Sequence, residues 1–191
     1  LSSRVIQGNE SERETENEPG NFRAARDPLS QTFSVNEEAS GGVFITKVDL
    51  YFFKKASSLP VTVQIREVEN GFPTKFVLPY AQKTLFPASI NVSTTSAATA
   101  TTFTFDSPVF LKNYRDYCIT IVPAGNSEEY AVWVAKLGGK DVDTNELIDK
   151  QPGAGVLFTS ANDKTWTAHQ AEYLKFKLHR ANFTTSQGTL Y

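Results

Sequence analysis

The sequence predicts an all-β fold, an antiparallel β-sandwich of jelly-roll type, from three observations. Apolar and polar residues alternate with a period of two along most of the chain. Turn-forming clusters of Gly, Pro, Asn and Ser divide the alternating runs at short intervals. Helical patterning is confined to one or two short stretches. The chain has 191 residues, 40% of them apolar and 12% aromatic, enough for one domain with a buried core. Alternation with a polar outer face belongs to antiparallel sheets rather than to βαβ units.

In chain order, residues 1–27 come first, with four basic and six acidic side chains that account for the whole net charge of −2. Asn9 to Pro19 (NESERETENEP) contains no apolar residue, a composition that cannot offset ordering entropy by burial. Residues 1–27 therefore read as a polar linker or as an extended arm that docks on a neighbour. Residues 28–191 read as a single β-sandwich domain. A first residue Leu1 and the lack of any Met imply a fragment of a longer chain.

Within the domain, Phe44, Thr46, Val48, Leu50 and Phe52 alternate with Ile45, Lys47, Asp49 and Tyr51. Val61, Val63 and Ile65 alternate with Thr62, Gln64 and Arg66, and Phe103 and Phe105 with Thr102 and Thr104. Leu174, Phe176 and Leu178 alternate with Lys175, Lys177 and His179. About ten strands follow from these patterns, near 31–35, 43–53, 61–68, 83–86, 89–92, 101–105, 108–111, 116–122, 129–135 and 173–183. A further short strand is expected at 155–159. Asp143 to Lys150 predicts two helical turns with Asp143 or Thr144 as the cap, and Thr167 to Tyr173 predicts one more.

Residues able to carry catalysis are sparse. His169 and His179 are the two imidazoles, and neither belongs to an HxH or HExxH pattern, so a zinc site is not expected. Cys118, the single cysteine, sits in an apolar strand and reads as a buried, inert thiol. Asp141-Val142-Asp143-Thr144-Asn145-Glu146 has alternating oxygen ligands but fails as an EF-hand, with Glu146 where glycine is needed and Pro152 where glutamate is needed. It reads instead as a helix N-terminus. Most acids stand beside Lys or Arg or in loops, which fits a solvated face better than a glycosidase pair. Phosphate loops and serine nucleophile elbows are missing. Asn91-Val92-Ser93 and Asn182-Phe183-Thr184 match the glycosylation tripeptide, a short motif that arises often by chance. No catalytic residue, metal or cofactor is expected. The near-neutral charge argues against a nucleic-acid partner, and the longest apolar run, Tyr130 to Ala135, is too short to span a membrane as a helix.

Aromatic residues are the best binding candidates. Trp133 is placed on the outer side of its strand, between Ala131 and Ala135, if Val132 and Val134 face the core. It then serves as a platform for a sugar ring, or lies under another strand, loop or subunit. Trp166 in a loop and Tyr51 on an outward face read either as ligand platforms or as anchors.

Several stretches, in order, carry a resemblance. They are Asp27 to Val35 (DPLSQTFSV), Gly41 to Phe52 (GGVFITKVDLYF), Pro60 to Glu67 with Asn70-Gly71, and Thr101 to Phe110 around Phe-Asp-Ser-Pro-Val. Gly155 to Phe158, Asn162 to Trp166 and Leu174 to Phe183 follow. Together the chain resembles, over roughly 27–183, a domain of virion structural proteins from the baseplate and tail-fibre region of T4-like and marine tailed bacteriophages. One departure is Gly153-Ala154, where the family pattern has an aromatic. The resemblance implies a non-catalytic structural role in a virion tail or baseplate. The implied partners are other segments of the same long chain and neighbouring tail subunits. It supplies no active-site residues. The alternative function is a carbohydrate-binding module that recognises host surface glycans through Trp133, Trp166 and Tyr51.

Overall fold

A computed structural model describes residues 5–7, 28–36, 41–125, 129–139, 141, 144, 146–149, 155–160 and 162–182. The strands are β1 (Val5–Gln7), β2 (Leu29–Val35), β3 (Gly42–Leu50), β4 (Phe52–Lys54), β5 (Val61–Glu69) and β6 (Phe72–Leu85). They continue as β7 (Thr101–Lys112), β8 (Arg115–Pro123), β9 (Ala131–Lys136), β10 (Leu157–Ser160), β11 (Trp166–His169), β12 (Glu172–Leu174) and β13 (Phe176–Arg180). Six of them form one sheet in the order β11-β10-β2-β8-β5-β6, and β13-β3-β7 form another. The last group is built on β9, which pairs with β1, β12 and β4. Every pairing between named strands is antiparallel. The all-β prediction holds.

Alternation explains how the layers close. Leu29, Val63, Ile65, Ile119 and Ile121 from the large sheet share one core with Val48, Leu50, Phe103, Val109 and Leu111 from β3 and β7. Burying each such side chain contributes about 1.5–3 kcal/mol. The large sheet's other face carries short polar ladders: Ser30 with Thr120 (2.9 Å), Thr62 with Thr84 (2.8 Å) and Gln64 with Gln82 (2.7 Å). Gly155 is required where the chain enters β10, because a Cβ there would stand 2.1 Å from the Thr32 carbonyl oxygen. That close approach lets the Thr32 N–H donate to the Val156 carbonyl at 3.0 Å.

The structure differs from the sequence expectation in several elements. Phe44, expected on the inward face, is exposed, because the register with β7 shifts between Ile45 and Lys47 and turns Ile45 inward instead. The two strands expected at 101–105 and 108–111 are the single β7. The one expected at 83–86 is the end of the much longer β6, and 89–92 runs from the last residue of a 3-10 turn at Pro87–Ser89 to an isolated bridge at Val92. That 3-10 turn is the only helical element among the described residues. At 167–173 the expected helical turn is corrected to β11 and the start of β12, because Thr167, Ala168 and His169 pair with Thr159, Phe158 and Leu157. An isolated helix shorter than about 12–15 residues is marginal, so a sheet edge within reach wins.

Over 143–150, the described residues make hairpin bonds rather than helical ones. Gly138 N–H donates to Ile148, Ile148 N–H to Gly139, and Asp141 N–H to Glu146. Asp143, Asn145 and Lys150 lie outside the described residues, as do Gln151 to Ala154 and the Phe183 and Thr184 of the second glycosylation tripeptide. So does the expected linker or arm apart from Val5–Gln7.

Candidate interaction surface

The three aromatic candidates occupy different environments. Trp133 is 3% exposed, in a strand where Ala131 to Ala135 are all buried. Its indole N–H donates to the Ser93 carbonyl at 3.0 Å, and the Phe53 ring meets it edge-on at 5.5 Å. The Ser93 N–H in turn donates to the Phe52 carbonyl, so the loop after the 3-10 turn is laid over the indole. A loop of the same chain is therefore the cover, and the Trp133 ring offers no platform. Tyr51 is half-buried, with the Lys175 ammonium 4.4 Å above its ring, which gives that face a cation–π contact. Burial first, and the Asp49 charge second, push its phenol above the ordinary range. Trp166 is half-buried in β11, at the end of the large sheet. Trp133 and Tyr51 are joined through the main chain (Trp133 N–H to Tyr51 O, 2.9 Å), whereas Trp166 belongs to the other layer.

The polar clusters tie neighbouring strands together. Across β13, β3 and β7, Asp49 accepts the Thr102 hydroxyl at 2.6 Å and pairs with His179 Nε2 at 2.7 Å. Burial alone raises the Asp49 carboxyl, but the hydrogen bonds from Thr102 and His179, with the charges of His179 and Lys177, outweigh it and hold the group below its usual value. In a nucleophilic triad the imidazole stands between hydroxyl and carboxylate; here the carboxylate stands between the other two, an order that cannot activate Thr102. His169 bonds Thr159 at 2.8 Å between β11 and β10. Cys118 is buried, which pushes its thiol up and keeps it protonated at neutral pH. Asp141 accepts the Thr144 N–H at 3.0 Å in a turn. Among the described residues, no three His, Cys, Asp or Glu side chains converge as metal ligands.

The most exposed apolar surface built on a rigid support is the β6 strand. It ends the large sheet, with β5 on one side. Two steps along β5, from Gln64 to Arg66, correspond to five along β6, from Gln82 back to Val77. The bulge sends Ala81 into the core and holds Tyr80 in left-handed backbone (φ 62°) with 69% of its surface exposed. Phe76 is equally exposed at 69%, and Phe72 is half exposed against the buried Phe158 ring at 5.6 Å. A non-glycine residue held at positive φ costs about 1–3 kcal/mol and persists only where its surroundings hold it.

Arg66 on β5, which is 4% exposed, braces the stretch that carries Phe76, where a second register shift sets four steps along β6, from Val77 back to Pro73, against two along β5. Its Nε donates to Gln64 at 2.8 Å, and its Nη1 reaches the Thr74 carbonyl on β6 and the Asp163 carboxylate. One guanidinium thus ties β5, β6 and the loop before β11 together.

Sequence reasoning passed over Phe76 and Tyr80. The signal was Pro73 and Pro79, since a proline-bearing strand is confined to a sheet edge or a bulge. No described helix is long and apolar enough to cross a membrane. No protein-family model matches the chain, and no curated protein matches it.

Proposed function

We propose that this chain is a non-catalytic structural domain of a phage tail or baseplate protein, acting in virion assembly through protein–protein contacts. The observation that carries the reading is the outer edge of β6, where Phe76 and Tyr80 stand in solvent at two successive register shifts, the one at Phe76 braced by Arg66 through the Thr74 carbonyl. Exposed aromatics on a rigid support are what interface cores are made from, because they bury much area at little conformational cost. The ordered resemblance over roughly 27–183 supplies the virion context. The partners are further segments of the same long chain and neighbouring tail subunits.

The carbohydrate-binding alternative loses its first residue, since Trp133 lies under the Ser93 loop. The test is co-expression with the neighbouring segments of the parent polypeptide, using the native chain and a Phe76→Ser, Tyr80→Ser variant. Co-purification with the native chain, lost in the folded variant, is the expected result. Saturable binding to a glycan panel that disappears in folded Trp166→Ala, with no subunit capture, overturns it.

A further inference from the structure

We propose that the outer edge of β9 is an acceptor site for the N-terminal strand of a second copy of this chain, so that copies are joined by strand exchange. The inference rests on the assembly reading and names a partner and a mode for it.

Trp133 marks which edge is meant. Its N–H donates to Tyr51 and its carbonyl accepts from Lys175 N–H at 3.1 Å, so both its main-chain groups serve the edge shared by β4 and β12. β1 therefore lies on the opposite edge, with Val5, Ile6 and Gln7 across from Trp133, Val132 and Ala131. The alternation of antiparallel ladders then makes Ile6 and Val132 the pair that exchanges hydrogen bonds. Ala131 to Val134 are buried, and an open strand edge in such a setting leaves main-chain donors and acceptors without partners. The edge requires a strand, and Val5–Gln7 is the segment the structure places there.

Chain connectivity allows that strand to come from a neighbour. Twenty-one residues separate Gln7 from Leu29, and extended chain of that length spans roughly 70 Å. A domain of this size has a radius of gyration of only about 15 Å. In the connector, Asn9 to Pro19 contains no apolar residue, and Phe22, Ala24 and Ala25 stand nearer to β2. The ladder is identical whichever copy supplies it, so exchange costs only the entropy of association.

The test uses the full chain in two single variants, Gln7→Cys and Ala131→Cys, mixed and oxidised over a range of concentrations, beside the double variant. Native Cys118 is buried and stays in place. The expected result is a disulfide-linked pair of chains in the mixture, rising with concentration and reduced at least tenfold by Ile6→Pro, which removes the central ladder donor. A bridge formed only within the double variant, with none between chains in the mixture, overturns the exchange. So does a mixture product that Ile6→Pro leaves unchanged, or no bridge at all. Subunit co-purification is scored on the same samples: if it persists while the exchange fails, the assembly reading stands without it.

Discussion

β9 and β6 are both rich in large apolar side chains, and the sandwich uses them in opposite ways. β9 is apolar at consecutive positions, takes neighbours on both faces, and closes its tryptophan under a loop. β6 carries its aromatics at intervals interrupted by Pro73 and Pro79, pairs on one side with β5, and leaves Phe76 and Tyr80 in solvent. The difference separates residues that hold the fold from residues that are free to contact something else. An aromatic count shows neither; what decides is whether a second layer reaches the strand.

Substitution at Trp133 gives the largest expected effect. Trp133→Ala removes a buried indole with its hydrogen bond to Ser93 and costs about 3–5 kcal/mol of unfolding free energy, read by urea denaturation. A loss below about 1 kcal/mol would break the contrast, because Trp133 would then behave like a surface aromatic.

Next is Arg66→Ala, which removes the tie between β5, Thr74 of β6 and Asp163. Removing one partner of a buried pair costs about 3–5 kcal/mol; with the Asp163 side chain 29% exposed, about 2–3 kcal/mol is expected here. Amide exchange should quicken over Thr74 to Ala81 and stay unchanged across β9. Equal quickening in both strands would mean that the edge is not an independently supported unit.

Acid sharpens the comparison from the β9 side, because Asp49 lies beside Tyr51, on which Trp133 is hung. A carboxyl held below its ordinary value contributes stability above the unfolded-state pKa, near the ordinary aspartate value of 3.8, and loses it as pH falls through the folded-state pKa. Asp49→Asn should therefore flatten the decline in stability below about pH 4, measured by urea midpoints at pH 7 and pH 3. An unchanged acid limb would remove Asp49 from the account.

The smallest stability effect belongs to Tyr80→Gly. Relief of the positive-φ strain, about 1–3 kcal/mol, is offset in part by glycine's extra backbone entropy loss of about 0.5–1 kcal/mol, so the unfolding free energy should stay level or rise by up to about 2 kcal/mol, while subunit capture weakens. A large destabilisation would show that Tyr80 is packed rather than presented.

Much of the fold was legible in single strands. Val61, Val63 and Ile65 face inward as their alternation requires, and so do Phe103 and Phe105. At Phe44 the pattern failed, because a register shift is set by the facing strand and leaves no trace in local alternation. The segment 167–173 failed for a related reason: its local composition is compatible with a turn of helix, and only β10 and β9 beside it supply ladder partners.

The candidate surface was less legible than the fold. Trp133 drew notice as an aromatic among small residues, yet its cover comes from Ser93, forty positions away. Phe76 and Tyr80 drew none, although their neighbouring prolines marked an edge.

By itself, the sequence determined the fold class, the inward faces of the regular strands and the buried thiol of Cys118, because periodicity and local composition act over a few residues. Tertiary structure alone decided which edges stay open, where bulges reset the faces, and which aromatics remain in solvent. Those outcomes depend on what a distant segment brings alongside, and burial is a property of the pair of surfaces rather than of either chain segment.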